Sequence, residues 1–202
     1  ASVGKAADNT NTNDWGGNII GGSGGEVKGD SRVLIDTTGE INLGGSSIIG
    51  DGSWSGTVRN SSVTINNGTV SIYRIKASNG TYEEHAKRGI YGGSYGNATT
   101  SENASITING GVFNGILFYA GSQVTNVKNA TITINGGVFN NAAITDSTAA
   151  AALGKTELET CFDGTRDRVT GESVLELNVA SFGAKVQNFH IVRILADVTL
   201  SS

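Results

Sequence analysis

Apolar and polar residues alternate along Ile106-Thr107-Ile108 and again along Ile132-Thr133-Ile134. The same alternation occupies Val63-Thr64-Ile65 and Leu175-Glu176-Leu177. A period of two marks a strand with one buried face. Around these strands the chain repeats: residues 104–114 read ASITINGGVFN and residues 130–140 read ATITINGGVFN. Residues 61–71 (SSVTINNGTVS) form a weaker copy and residues 173–183 (SVLELNVASFG) a degenerate one. The Asn that closes each strand falls at Asn66, Asn109, Asn135 and Asn178, at intervals of 43, 26 and 43 residues. A 26-residue unit with about 17 extra residues in two copies accounts for this spacing.

Each unit holds a strand, an Asn-Gly-Gly turn, a short Val-Phe piece and an apolar run such as Ile116-Leu117-Phe118-Tyr119. Three short strands per unit exceed a hairpin and suit one coil of a three-sided parallel β-helix. One coil cannot bury its own inward residues, but stacked coils set like residue over like at about 4.7–4.9 Å. The predicted inward columns are Val63/Ile106/Ile132/Leu175, Ile65/Ile108/Ile134/Leu177 and Val70/Phe113/Phe139/Phe182. Asn66, Asn109, Asn135 and Asn178 are expected to form a side-chain ladder at one corner. Val33-Leu34-Ile35, Ile41-Asn42-Leu43, Ile48-Ile49 and Val58 read as further short strands, and residues 1–14 as a loose polar segment. Residues 15–202 thus form a single β-helix domain, expected to be excised from a longer protein. A β-sandwich is the competing fold.

Composition sharpens this picture. Gly (30 residues) is abundant and Pro and Met are absent, which favours tight turns over helices and excludes collagen. The net charge of −4 gives no basic field for nucleic acid. No apolar run approaches the ~20 residues that span a bilayer. The single Cys161 allows no internal disulfide or thiolate metal site, and no cofactor is predicted. The last strands, through Leu200, end without a polar cap, so the chain is expected to continue beyond Ser202 or a partner to cover the last coil.

The ITINGG strand-and-turn units resemble the pectin-lyase-like right-handed β-helices, and most of all bacterial surface proteins and autotransporter passengers with TINGG(V/T)F repeats. The resemblance covers about residues 33–200. It implies a secreted or cell-surface location and an adhesin, passenger or stalk, but that superfamily also holds lyases, hydrolases and tailspikes.

Candidate chemistry lies in the two inserts, read as residues 80–99 and 147–172. Both are expected to leave the same corner, after the third strand of a coil. They read either as solvated flaps or as one recognition surface. In the second reading Tyr82, Glu83, Glu84, His85 and Arg88 face Asp163, Arg166, Asp167 and Arg168 across a shallow groove, two coils (~9.6 Å) apart. Tyr82, Tyr91 and Tyr95 are the side chains suited to stacking on a sugar, so the expected partner is a polysaccharide or host-surface ligand.

Catalysis draws less support. The outward strand positions Thr64, Thr107, Thr133 and Glu176 hold no carboxylate pair, and Asp163–Asp167 has too few ligands for Ca²⁺. His85 reads as a solvated loop residue, His190 as a strand or edge residue and Cys161 as half-buried. The alternative is a carbohydrate-active or carbohydrate-binding β-helix. A remoter one is an ice-binding solenoid, on the Ser62/Thr64, Ser105/Thr107 and Thr131/Thr133 array. Asn-x-Ser/Thr sequons begin at Asn60, Asn67, Asn79, Asn97, Asn103 and Asn129.

Overall fold

The computed structural model describes residues 18–22, 29–52, 56–85 and 88–200. The segment 1–14, read as loose, lies outside the described residues. The described chain is all-β apart from one seven-residue α-helix and a 3-10 turn.

The chain visits three faces in turn, the first a six-stranded sheet and the other two parts of one eight-stranded sheet. The first holds six strands in the order Ile19–Ile20, Ile48–Ile49, Ile90–Tyr91, Leu117–Tyr119, Cys161–Asp163 and Lys185–Gln187. Every neighbouring pair in it is parallel. The second stacks the leading parts of Asp30–Asn42 and Thr57–Ser71 on Thr99–Ile108, Asn129–Ile134, Ser173–Leu177 and Ile191–Ile194, again all parallel. The tails of the two long strands turn onto a third face, where Val112–Asn114 and Val138–Asn140 continue the stack. Further along, Ser181–Phe182 pairs in parallel with Thr199–Leu200.

Two of the predicted columns appear in register throughout, and the third holds from Val70 through Phe113 to Phe139, while Phe182 meets Phe139 only ring to ring. Val63 pairs with Ile106, Ile106 with Ile132 and Ile132 with Leu175, and all four are fully buried. Each such burial stabilises by about 1.5–3 kcal/mol. Aromatic rings fill the space between the three faces. Phe118 stacks on Phe162 with centroids 4.4 Å apart, and Phe113 on Phe139 at 5.4 Å. Phe139 also meets Phe118, Phe162 and Phe182 edge-on. Rings from two faces therefore interlock along the axis.

The predicted Asn ladder is present. Asn178 Nδ2 donates to Asn135 Oδ1 (3.2 Å), Asn135 to Asn109 (2.8 Å) and Asn109 to Asn66 (2.9 Å). Asn66 Nδ2 then donates to Asp36 Oδ2 at 3.3 Å. A parallel ladder, not anticipated, runs from Asn129 to Asn103 (3.1 Å), Asn60 (2.7 Å) and Asp30 (2.8 Å). Each amide passes its N–H one step toward the N-terminal coils, so the last member must only accept. A carboxylate does this, and Asp30 and Asp36 stand there. The Asn60 bond holds the Asp30 carboxyl below its usual range, with the Arg59 guanidinium 3.2 Å away adding to the effect. Three of the six sequons therefore serve as ladder rungs, at Asn60, Asn103 and Asn129.

The inward columns finish at Val192, Ile194 and Leu200, which are 50%, 56% and 63% exposed. At this end His190 Nδ1 lies 2.9 Å from Ser173 Oγ and accepts from Ser173 N at 3.0 Å. His190 N in turn donates to Ser173 Oγ at 3.0 Å. The edge position read for His190 is its observed place. Ser173 is fully buried, so the pair closes a corner and is not an exposed nucleophile–base arrangement.

Candidate functional site

Both inserts leave the same corner of the stack, between the third face and the next strand of the first sheet. Their limits differ from the sequence reading. Ile90–Tyr91 and Cys161–Asp163 are ordinary strands of the first sheet, paired with Leu117–Tyr119 from either side. The excursions are therefore residues 72–89 and 141–160. The apolar-rich run Ile72-Tyr73-Arg74-Ile75 is not the counterpart of Ile116-Leu117-Phe118-Tyr119: it leads into the first insert, whereas the latter holds a strand of the first sheet.

The first insert is an antiparallel hairpin, Ile75–Ser78 with Thr81–Glu84. Asn79 and Gly80 form its turn with φ of 51° and 77°, the Asn-Gly signature of a turn whose twist matches the strands. In the second, Ala142–Ala143 pairs with Glu157–Leu158 around the helix Ser147–Leu153. Asp146 caps that helix, its carboxylate accepting from Thr148 N (2.8 Å) and Ala149 N (3.1 Å). Gly154, in the left-handed region at φ 65°, ends it, as is common at a helix C-terminus.

The inserts meet. Tyr82 OH donates to Asp146 Oδ2 at 3.0 Å, and Lys155 Nζ reaches Glu84 Oε2 at 2.6 Å. Beneath these bonds Ile75, Ala149 and Leu158 form a second apolar cluster with Tyr73, Tyr82, Ala142, Ile144 and Leu153 packed on it. Gly115 of the coil between allows the approach, since a Cβ there would come within 2.7 Å of Ala142 Cβ. Bonds from Ala149 N, then Tyr82, depress the Asp146 carboxyl, while the Asp146 bond raises the Tyr82 phenol.

Arg74 anchors the hairpin. Its side chain is 1% exposed, with Nη1 3.2 Å from Glu84 Oε1 and Nη2 donating to the Glu159 carbonyl at 3.1 Å. Its Nε has no partner among the described residues. Burial lowers the guanidinium pKa and Glu84 opposes that shift. Glu84 therefore bridges a buried Arg and a surface Lys.

The other predicted residues separate into three groups. Glu83, in the hairpin, lies 3.8 Å from Lys76. His85 closes the hairpin, its N–H donating to the Arg74 carbonyl at 2.5 Å, and burial, then Arg88, lowers its imidazole pKa. Tyr91 is fully buried, stacked on Tyr119 at 4.6 Å and edge-on to Tyr95 at 5.6 Å. Its ring is thus closed to a ligand, and Arg88, also buried, lies over Tyr95. Asp163 ends a strand of the first sheet and accepts from Gln187 Nε2 (2.8 Å), Asn188 Nδ2 (3.0 Å) and Thr165 N (2.7 Å). Arg166, Asp167 and Arg168 form a 3-10 turn at the following corner. Tyr82 and Glu84 of the hairpin thus bond Asp146 and Lys155 rather than Asp163–Arg168. Cys161 is buried rather than half-buried, and burial pushes its thiol up to about 11. The Thr64/Thr107/Thr133 column is in register but ends at Glu176, which accepts from Thr133 Oγ1 (3.1 Å) and pairs with Arg193 (3.0 Å).

A cleft of about 160 Å³ opens between the inserts and the third face. One wall is a column of strand ends, Asn42, Ser71 and Asn114, paired in register. The other carries Tyr73, Ala142, Ile144, Thr145 and Leu158. Burial, then the Asp146 carboxylate, raises the Tyr73 phenol to about 12. Sequence reasoning missed this cleft, although aligning TVS, VFN and VFN already stacks Ser71, Asn114 and Asn140.

Among the described residues no group of three or more His, Cys, Asp or Glu is placed to hold a metal ion, and no helix is long and apolar enough to cross a membrane. In comparisons with protein-family models, with curated proteins and with solved structures, nothing matches the chain.

Proposed function

We propose that the chain is a right-handed parallel β-helix serving as a secreted or cell-surface adhesin, passenger or stalk module. It binds a polysaccharide or host-surface ligand through its two inserts and catalyses no reaction. One observation carries this reading: two excursions 64 and 71 residues apart at their bonded points join through Tyr82–Asp146 and Glu84–Lys155. Loops held by a rigid scaffold are where recognition concentrates. The cyclic order of parallel strands supports the solenoid, and the strong preference of parallel crossovers supports its hand. The engaged carboxylates support a binding role over a hydrolytic one: Glu84 is held in two ion pairs and Asp146 caps a helix.

Replacing residues 75–84 and 144–158 by short Gly/Ser linkers should abolish binding to glycan arrays or host cells and leave the β circular dichroism intact. Retained binding would place recognition elsewhere, as on the Thr/Ser face.

A further inference from the structure

Two of the three amide ladders run unbroken to a carboxylate, and the third does not. Asn140 Nδ2 donates to Asn114 Oδ1 at 3.1 Å. The next members in register are Ser71 and Asn42, and among the described residues neither side chain makes a hydrogen bond. The ladder stops where the inserts leave the stack and the cleft opens. Asn114 Nδ2, the Ser71 hydroxyl and the Asn42 amide are left facing it, in steps of about 4.8 Å.

We propose that this cleft takes one uncharged pyranose ring of a glycan, whose hydroxyls complete the interrupted Asn42–Ser71–Asn114 ladder while Tyr73 and its apolar neighbours cover a C–H face of the ring. This proposal rests on the reading of the inserts as a binding platform and names its ligand class. Equatorial hydroxyls on alternate ring carbons of a pyranose are separated by nearly one strand spacing, so one edge of the ring bridges two successive rungs. Each hydroxyl both donates and accepts, which suits a column offering amide N–H, hydroxyl and amide oxygen. The facing wall of Tyr73, Ala142, Ile144 and Leu158 is the apolar complement such ligands require. Among the described residues no charged side chain lines the cleft. The nearby Asp146 carboxylate, which raises the Tyr73 phenol, would repel a uronate. A peptide strand would instead seek a free sheet edge, and the cleft is walled by side chains.

The test follows the Asn side-chain amide signals of the whole chain by ¹⁵N NMR during titration with methyl glycosides of glucose, galactose, mannose and N-acetylglucosamine, and with glucuronate. At least one neutral glycoside should shift the Asn42 and Asn114 signals while those of Asn103 and Asn129 stay in place, and glucuronate should shift neither. Ser71→Leu, which fills the cleft, should weaken binding at least tenfold. Asn42→Ala, at the edge of the column, should weaken it severalfold and covers the case in which Ser71→Leu fails to fold. No shift with any neutral glycoside, equal binding of glucuronate, or unchanged affinity in both variants would overturn the proposal. If glycan-array binding vanishes on insert replacement but survives Ser71→Leu, the platform stands and the cleft assignment falls. If array binding survives insert replacement, the platform reading itself falls.

Discussion

Replacing Phe162 by Ala is expected to destabilise the protein by about 3–5 kcal/mol, the usual cost of emptying a buried aromatic site. Phe162 is fully buried, lies 4.4 Å from Phe118 in a parallel stack and meets Phe139 edge-on at 5.1 Å and Phe182 at 5.4 Å. Its removal opens a hole at the crossing of these contacts. Phe118, stacked on it, is held by strand pairing on both sides and cannot collapse inward, so the cavity cost adds to the transfer cost. At about 2–4 °C per kcal/mol for a chain of this size, the melting temperature should fall by roughly 6–20 °C. Phe182→Ala should cost less, because its in-register neighbour Leu200 is already 63% exposed. A thermal melt of Phe162→Ala within about 2 °C of wild type would contradict the interlocked core.

The second large effect belongs to Glu84→Ala. Arg74 would keep its buried guanidinium with the Glu159 carbonyl as its remaining partner at Nη2 and nothing at Nη1 or Nε. Leaving a buried charge without its counter-ion costs about 3–5 kcal/mol. The hairpin has a cheaper alternative, since it can lift and return Arg74 to water, giving up the small cluster around Ile75, Ala149 and Leu158. The expected outcome is therefore local. Hydrogen-exchange protection should be lost over residues 75–84 and 147–158, while the Ile106 and Ile132 strands stay protected. Glu84→Gln should lose less, because its amide oxygen can still accept from Arg74. Unchanged protection of both inserts in Glu84→Ala would show that the ion pair does not hold them.

The stack was legible because its signal repeats. Ile106, Ile132 and Asn109, Asn135 recur at one spacing, and a column of like residues has only one sensible alignment. The second ladder was visible in the same way, at Asn60, Asn103 and Asn129, but sequon spacing drew attention to the wrong property of those residues. The inserts were harder because each occurs once. Ile90-Tyr91 carries no mark distinguishing a two-residue strand from a loop, and so Tyr91 was read as an exposed ring although it is buried on Tyr119. Charge drew Asp163–Arg168 into the site, yet the Asp163 carboxylate is taken by Thr165, Gln187 and Asn188. The residues that join the inserts, Asp146 and Lys155 with Tyr82 and Glu84, pair across long separations that no local pattern encodes. Asn42 and Ser71 are unremarkable in sequence, and only the interruption of a ladder gives them meaning.

Whether the two inserts form one surface is tested most directly by nuclear Overhauser contacts in the wild-type chain. Tyr82 packs on the cluster that contains Ala149, so its ring protons should show cross-peaks to methyl groups of the helix Ser147–Leu153. Cross-peaks between the Ile106 and Ile132 side chains, which are paired in register, serve as the internal reference. Both sets together are the predicted result. Reference cross-peaks without any between Tyr82 and the helix would contradict a joint platform and leave the inserts as separate flaps on a common scaffold.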